Sequence, residues 1–167
     1  MTTARDILKR AVDKTDIALR GKFGKSGTFI RFTSGRSQTI ENEITILSTS
    51  LTRNPFPLVA MFTEGMYEWK DGPFNCFRIP KIAIVIRTKT VSADEEQKLH
   101  DSFSKVLHPI YEEFERQLNA VNHGYGMRIE HFDLPCMNDQ NGKTSLNQLC
   151  DAVIIRNLQM KYIEKKC

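Results

Sequence analysis

The stretch from Ile79 to Val121 constrains this chain most. Ile79-Pro80-Lys81-Ile82-Ala83-Ile84-Val85-Ile86-Arg87-Thr88-Lys89-Thr90 holds a run of apolar, mostly β-branched residues flanked by charge, the composition of a strand covered on both faces. Ser92-Ala93-Asp94-Glu95 then has the form of a capping box, in which the Ser92 hydroxyl satisfies an amide of the first turn and Glu95 reaches back to the cap. Leu99, Phe103, Val106, Leu107, Ile110, Tyr111, Phe114, Leu118 and Val121 recur at three- and four-residue steps. That spacing predicts one long helix over about 92–121 with a single apolar face. Pro109 lies inside it, removes a backbone donor and crowds the preceding turn, so a kink is expected over Lys105 to Pro109.

The rest of the chain supplies partners for this unit. Thr2 or Thr3 caps a first helix running to about Leu19, with Ile7, Leu8, Ala11, Val12 and Ala18 as its apolar stripe. Gly21, Gly24 and Gly27, interleaved with Lys22 and Lys25, end that helix in a basic turn, and a strand is expected over Thr28 to Phe32. Ser34 to Ser37 reads as a turn, and Thr39 to Leu51 fits a short helix or an extended segment equally well. Asn54-Pro55-Phe56-Pro57 leads into the apolar strand Leu58 to Phe62. Residues 64–78, rich in turn formers and aromatics, are expected as a long polar loop joining that strand to the central one in an antiparallel pair. His123-Gly124-Tyr125-Gly126 stops the long helix, and Met127 to Leu134 is a third strand with Ile129 and Phe132 as burial candidates. A polar loop over 135–150 precedes a last strand, Asp151 to Ile163. The expected fold is a single α+β domain over 1–167: an antiparallel β-sheet of about four strands, the long kinked helix across it, and an N-terminal helix.

Charge and cysteine usage narrow the function. The formal net charge of +4 is local, since residues 1–37 carry nine Lys and Arg against three Asp. A basic end of this kind suits nucleic acid, an acidic protein or a membrane surface, and equally a solvated helix face. There is no secretory apolar region, and no apolar run approaches the ~18–20 residues of a membrane span. Cys76, Cys136, Cys150 and Cys167 form no CxxC pair, so free thiols in an intracellular protein are expected, with Cys136 and Cys150 bracketing a loop as the one pair to watch.

No reactive constellation is legible. GKFGKSG shares glycines and lysines with a phosphate-binding loop, but it follows a helix and precedes a strand, the reverse of the required order. His100, His108, His123 and His131 lack metal-ligand spacing, and no nucleophile has a recognisable base beside it. No cofactor and no enzyme activity are expected. Phe23, Phe29 and Phe32 among Lys22, Lys25, Arg31 and Arg36 could combine stacking with phosphate contacts. Lys22, Lys25 and Arg36 are therefore the nucleic-acid contact candidates.

Four segments together resemble a known group: Asn54-Pro55-Phe56-Pro57-Leu58-Val59-Ala60-Met61-Phe62, the partner strand Pro80 to Ile86, Phe103-Ser104-Lys105-Val106-Leu107-His108-Pro109-Ile110-Tyr111-Glu112-Glu113-Phe114, and Asp151-Ala152-Val153-Ile154-Ile155-Arg156-Asn157-Leu158. In order and spacing they are similar to the tail terminator, tail completion and neck (head–tail connector) proteins of tailed bacteriophages. The resemblance implies a non-catalytic virion protein, made in the host cytoplasm, that forms a homo-oligomeric ring at the head–tail junction or tail end. Its partners would be itself, neighbouring neck or tail proteins and DNA in the lumen, with no membrane. Trp69 and Phe77 in loop 64–78, and Asn141 and Lys143 in loop 135–150, are then interface candidates. A nucleic-acid-associated accessory protein is the second reading, and an enzyme with an unrecognised site the third.

Overall fold

The computed structural model describes residues 2–49, 56–87, 95–122, 127–135 and 150–163. Thr3 caps α1 (Ala4–Arg20): its hydroxyl accepts from the Asp6 amide while the Asp6 carboxylate accepts from the Thr3 amide, a reciprocal pairing that satisfies two end donors. Ala4, Ile7, Leu8, Ala11, Val12 and Leu19 form its buried stripe. The chain continues through β1 (Arg31–Gly35), α2 (Ser37–Thr49), β2 (Leu58–Phe62), β3 (Tyr67–Asp71), β4 (Phe74–Arg87), α3 (Glu95–Lys98), a π-helix (Leu99–Leu107), α4 (His108–Asn122), β5 (Met127–Leu134) and β6 (Cys150–Tyr162).

The class is α+β, but the sheet corrects the expectation of about four antiparallel strands. It has six strands in the order β1-β2-β4-β6-β5, with β3 also on β4, and it is mixed. β1 runs parallel to β2, from Arg31 beside Leu58 to Gly35 beside Phe62, whereas the other pairs are antiparallel. The cause is α2. A helix between two neighbouring strands carries the chain back to its starting end, so the second strand repeats the direction of the first. Thr39 to Leu51 was legible as helix or as extended chain, and only the helix gives this crossover.

Residues 64–78 are not a loop. Tyr67–Asp71 and Phe74–Arg78 pair as a hairpin around Gly72-Pro73, and Gly72 has φ +61. A positive φ followed by the fixed φ of proline is the pattern of a two-residue II′ turn, whose twist matches the strands. β3 and β2 lie end to end along one side of β4, opposite its Phe74–Arg78 and Lys81–Val85 lengths respectively. The sheet thus has a proximal half at β2 and a distal half at β3.

The long helix is three consecutive segments, α3, the π-helix and α4, and not one uniform α-helix. The π turns end where His108-Pro109 begins. Pro109 has no amide to give to Lys105, and its ring would press on that carbonyl in a regular α-helix, so the change of hydrogen-bond step falls where the sequence cannot sustain the ladder. The proposed cap at Ser92 and the stop at His123 to Gly126 lie outside the described residues.

Side chains from α1, the π-helix and α4 meet one sheet face in the larger core, which includes Leu8, Ile82, Ile84, Phe103, Leu107, Ile110, Phe114, Leu118, Val153 and Ile155. Ile40 of α2 covers the proximal half of the other face, over Leu58, Ala60, Ala83, Val85, Ala152 and Ile154. Core-facing residues on β4 are Phe77 and Ile79, then Ile82, Ile84 and Ile86; on β6 they are Val153 and Ile155, then Leu158, Met160 and Tyr162. Both strands therefore skip one step of their alternation, at Pro80-Lys81 and at Arg156-Asn157, and these two points face each other in the ladder. Asn157 has φ +53, and the β5–β6 register shifts between Arg128 and Glu130 beside it. This is a bulge with a left-handed residue. Ile129 packs partly buried on the larger core, whereas Phe132 faces the other way and is 36% exposed.

Candidate functional site

Two surfaces stand out. The first is the distal half of the sheet face opposite α1 and α4. Ladder partners share a face, so Tyr67, Arg78, Gln159 and Arg128 form one row across it and Trp69, Cys76 and Lys161 a second, while Phe62, Lys81, Arg156 and Glu130 form the bordering row of the proximal half. Tyr67 is 63% exposed and stacks on Trp69, with ring centroids 5.6 Å apart and planes 21° apart. Cations surround the pair. Arg78 donates to Asn157 Oδ1 at 2.7 Å, and Lys161 donates to Asp71. Lys81 sits 4.4 Å over the Phe62 ring, and Arg156 lies 4.7 Å over Phe132. Burial lowers the Lys81 ammonium from its ordinary value; Glu41 of α2 opposes that shift and Arg156 adds to it.

The second is a cleft of about 500 Å³ where the turn after α1 meets the starts of β1 and β2 and the end of β4. Phe23, Phe29, Phe56, Pro57, Ile86 and Val106 supply its apolar lining, and Lys25, Arg31 and Arg87 its charge. Buried Asp16 organises one wall: its Oδ1 accepts from the amides of Phe29 and Ile30, both at 2.9 Å, and its Oδ2 accepts from Arg20 at 2.6 Å. Burial alone would raise the Asp16 carboxyl, but the two amides and Arg20 overcome it and leave the acid below its ordinary 3.8. Gly24, at φ +64, lets the turn close with the Lys25 amide on the Arg20 carbonyl at 2.7 Å. Phe23 and Phe29 meet at 5.3 Å with a 42° tilt. Arg31 donates its amide to the Pro57 carbonyl at 3.0 Å, fixing the floor.

These positions sort the expected sites. Trp69 is on the open distal face, but Phe77, 1% exposed, is core, with the Tyr162 ring 6.0 Å away. Strand alternation puts those two on opposite faces, so they cannot serve one interface. Asn141 and Lys143 lie outside the described residues, as does the loop that would carry them. Lys22 and Lys25 are exposed near the cleft, while Arg36 follows the other end of five-residue β1, about 16 Å along the strand, and acts on Glu64. The three do not make one patch. Arg87 and Phe56 come from segments far from the basic end, which is why reading the chain locally missed the cleft.

His108 and Asp133 form a tie at 2.9 Å between α4 and β5, and the Tyr111 ring lies 4.1 Å from that of His131. Cys76 and Cys150 are buried free thiols; Cys136 and Cys167 lie outside the described residues. Among the described residues no group of three or more His, Cys, Asp or Glu is placed to hold a metal ion, and no helix is long and apolar enough to cross a membrane. No protein-family model matches the chain, and no curated protein matches it.

Proposed function

We propose that this chain is a structural subunit that assembles with copies of itself into a ring, as at the head–tail junction or tail end of a tailed phage. The observation that carries the reading is the stacked Tyr67–Trp69 pair on the open distal sheet face. An exposed tyrosine stacked on a half-buried tryptophan, with Arg78 in the same cross-strand row, has the composition of a contact surface, since aromatic side chains bury large area with little side-chain entropy to lose. A closed ring also needs a second, unlike patch on each copy, and the sheet offers edges at β1 and at β5 on opposite sides. The similarity in segment order to tail terminator, tail completion and neck proteins supplies the biological setting, in which neighbouring rings and lumenal DNA are the remaining partners.

Light scattering on the purified protein tests the reading, with the single Trp69 as an internal probe. A discrete multimer is expected, its tryptophan emission shifting to shorter wavelength on assembly. Tyr67→Ser with Trp69→Ser should leave a folded monomer. A wild-type chain that stays monomeric at high concentration, and is monomeric in particles, overturns the proposal.

A further inference from the structure

The cleft between the α1–β1 turn and β4 lies apart from the Tyr67–Trp69 face that carries the ring reading, and its chemistry is specific. From the arrangement of three phenylalanines and three cations around it we infer that this cleft binds a nucleoside monophosphate unit, either free or at the end of a single strand. Among the described residues its lining includes Lys25, Arg31 and Arg87 and no acid. A ligand bearing negative charge complements Lys25 and Arg31, and guanidinium groups match phosphate oxygens in a fork that a lone ammonium cannot reproduce.

The apolar half argues for a flat ring. Phe23 and Phe29 are tilted by 42°, so a planar base between them and Phe56 can meet one ring by offset stacking and the other edge to face. The volume of about 500 Å³ lies within the ordinary range of small-ligand sites, ~300–1,000 Å³. The walls are also held in place before any ligand arrives. Asp16 fixes Phe29 and Ile30 through their amides, the Arg20 carbonyl fixes Lys25, and Pro57 fixes Arg31. Such preorganisation reduces the ordering cost of binding. An acyl carboxylate would use the apolar lining but bring a single charge and no ring face.

The test uses the full chain and two probes: adenosine 5′-monophosphate followed by saturation-transfer NMR, and a 5′-phosphorylated oligothymidylate of eight nucleotides with a 3′ fluorophore followed by anisotropy. Saturation of the adenine ring protons, or a bound oligonucleotide, is expected. Lys25→Gln with Arg31→Gln, both at exposed positions, should weaken either complex by about 10-fold or more, and Phe29→Leu by roughly 5- to 100-fold. Lys22→Gln and Arg36→Gln should leave binding within about 2-fold, because neither residue lines the cleft. Binding of the mononucleotide assigns a free nucleotide, and binding of the oligonucleotide alone assigns a strand end. Hydrogen exchange at the Phe29 and Ile30 amides verifies that each variant keeps the wall. Absence of both signals overturns the inference. So does binding that the Lys25 and Arg31 pair does not change, binding lost only with Lys22 and Arg36, or uptake of decanoate without either nucleotide probe. Failure here leaves the ring reading untouched, because that rests on the distal face and on mass.

Discussion

Pro80 on β4 stands opposite Asn157 on β6, between the ladder couples Ile79–Leu158 and Lys81–Arg156, and Asn157 is the one described non-glycine residue with positive φ. A proline has no amide to give across a ladder. The partner strand bulges at the same point, and both strands exchange their faces there without losing register. Asparagine tolerates the left-handed region better than other residues with a Cβ. Asn157→Gly should therefore change stability by under about 1 kcal/mol, the relaxed backbone offsetting the bond lost from Arg78. Asn157→Val should cost about 1–3 kcal/mol. Urea unfolding monitored by circular dichroism measures both.

Packing against the larger core gives a second expectation. Phe103 and Phe114 are each fully buried, so replacing either with alanine should cost about 3–5 kcal/mol. Phe132, partly exposed under Arg156, should cost under about 1.5 kcal/mol on the same change. Equal losses at all three positions would contradict the facing assigned to β5.

Asp16 makes stability depend on acid. Its carboxyl is lower in the folded chain than its ordinary 3.8. The resulting stabilisation is complete above that value and is lost as pH falls through the lower folded one. Asp16→Ala should cost about 1–3 kcal/mol at pH 7 by stranding the Phe29 and Ile30 amides. It should also flatten the stability profile below about pH 4. Chemical denaturation at a series of pH values reads both effects.

Thiol chemistry is a fourth check. Burial, with Asp151 beside it, pushes Cys150 up to about 11, and burial also raises Cys76. At pH 8 the Cys150 thiolate fraction is on the order of one in a thousand. Neither cysteine should react with a disulfide reagent until denaturant is added. Peptide mapping after alkylation identifies which residues were protected.

Much of the framework was legible because period and burial coincide in it. The stripe of α4, the apolar run of β4 and the apolar start of β6 bury residues that their spacing selects, and α1 does so at Ile7, Leu8, Ala11 and Val12, but Ala18, expected in that stripe, is exposed and Leu19 is buried instead. Pro109 predicts a kink over Lys105 to Pro109; what lies beside it is the end of a π-helix over Leu99–Leu107, of which proline alone gives no sign. The β1–α2–β2 crossover was hidden because 39–51 balances two periods, and the strand before it starts three residues later than its phenylalanines suggest. Residues 67–78 look like a polar loop because both faces of that hairpin are uneven: one is core through Phe77, and the other carries Tyr67, Trp69 and Arg78 toward solvent. The cleft is a meeting of four separate segments. No local window contains it.

The strand order carries a cost during synthesis. β4 is the middle of the sheet, yet its second neighbour, β6, is the last strand made, and β5 pairs with β6. A nascent chain that has reached Asn122 already holds α1, the crossover, both early partners of β4 and the helix, but one side of β4 from Asn75 to Arg87 still has no ladder. At elongation rates of ~5–20 residues per second, that isoleucine-rich edge waits for several seconds, and β5 emerges with nothing to join. Premature termination before Cys150 therefore removes the pairing of three strands rather than one, and such fragments should be clients for chaperones or proteases rather than subunits.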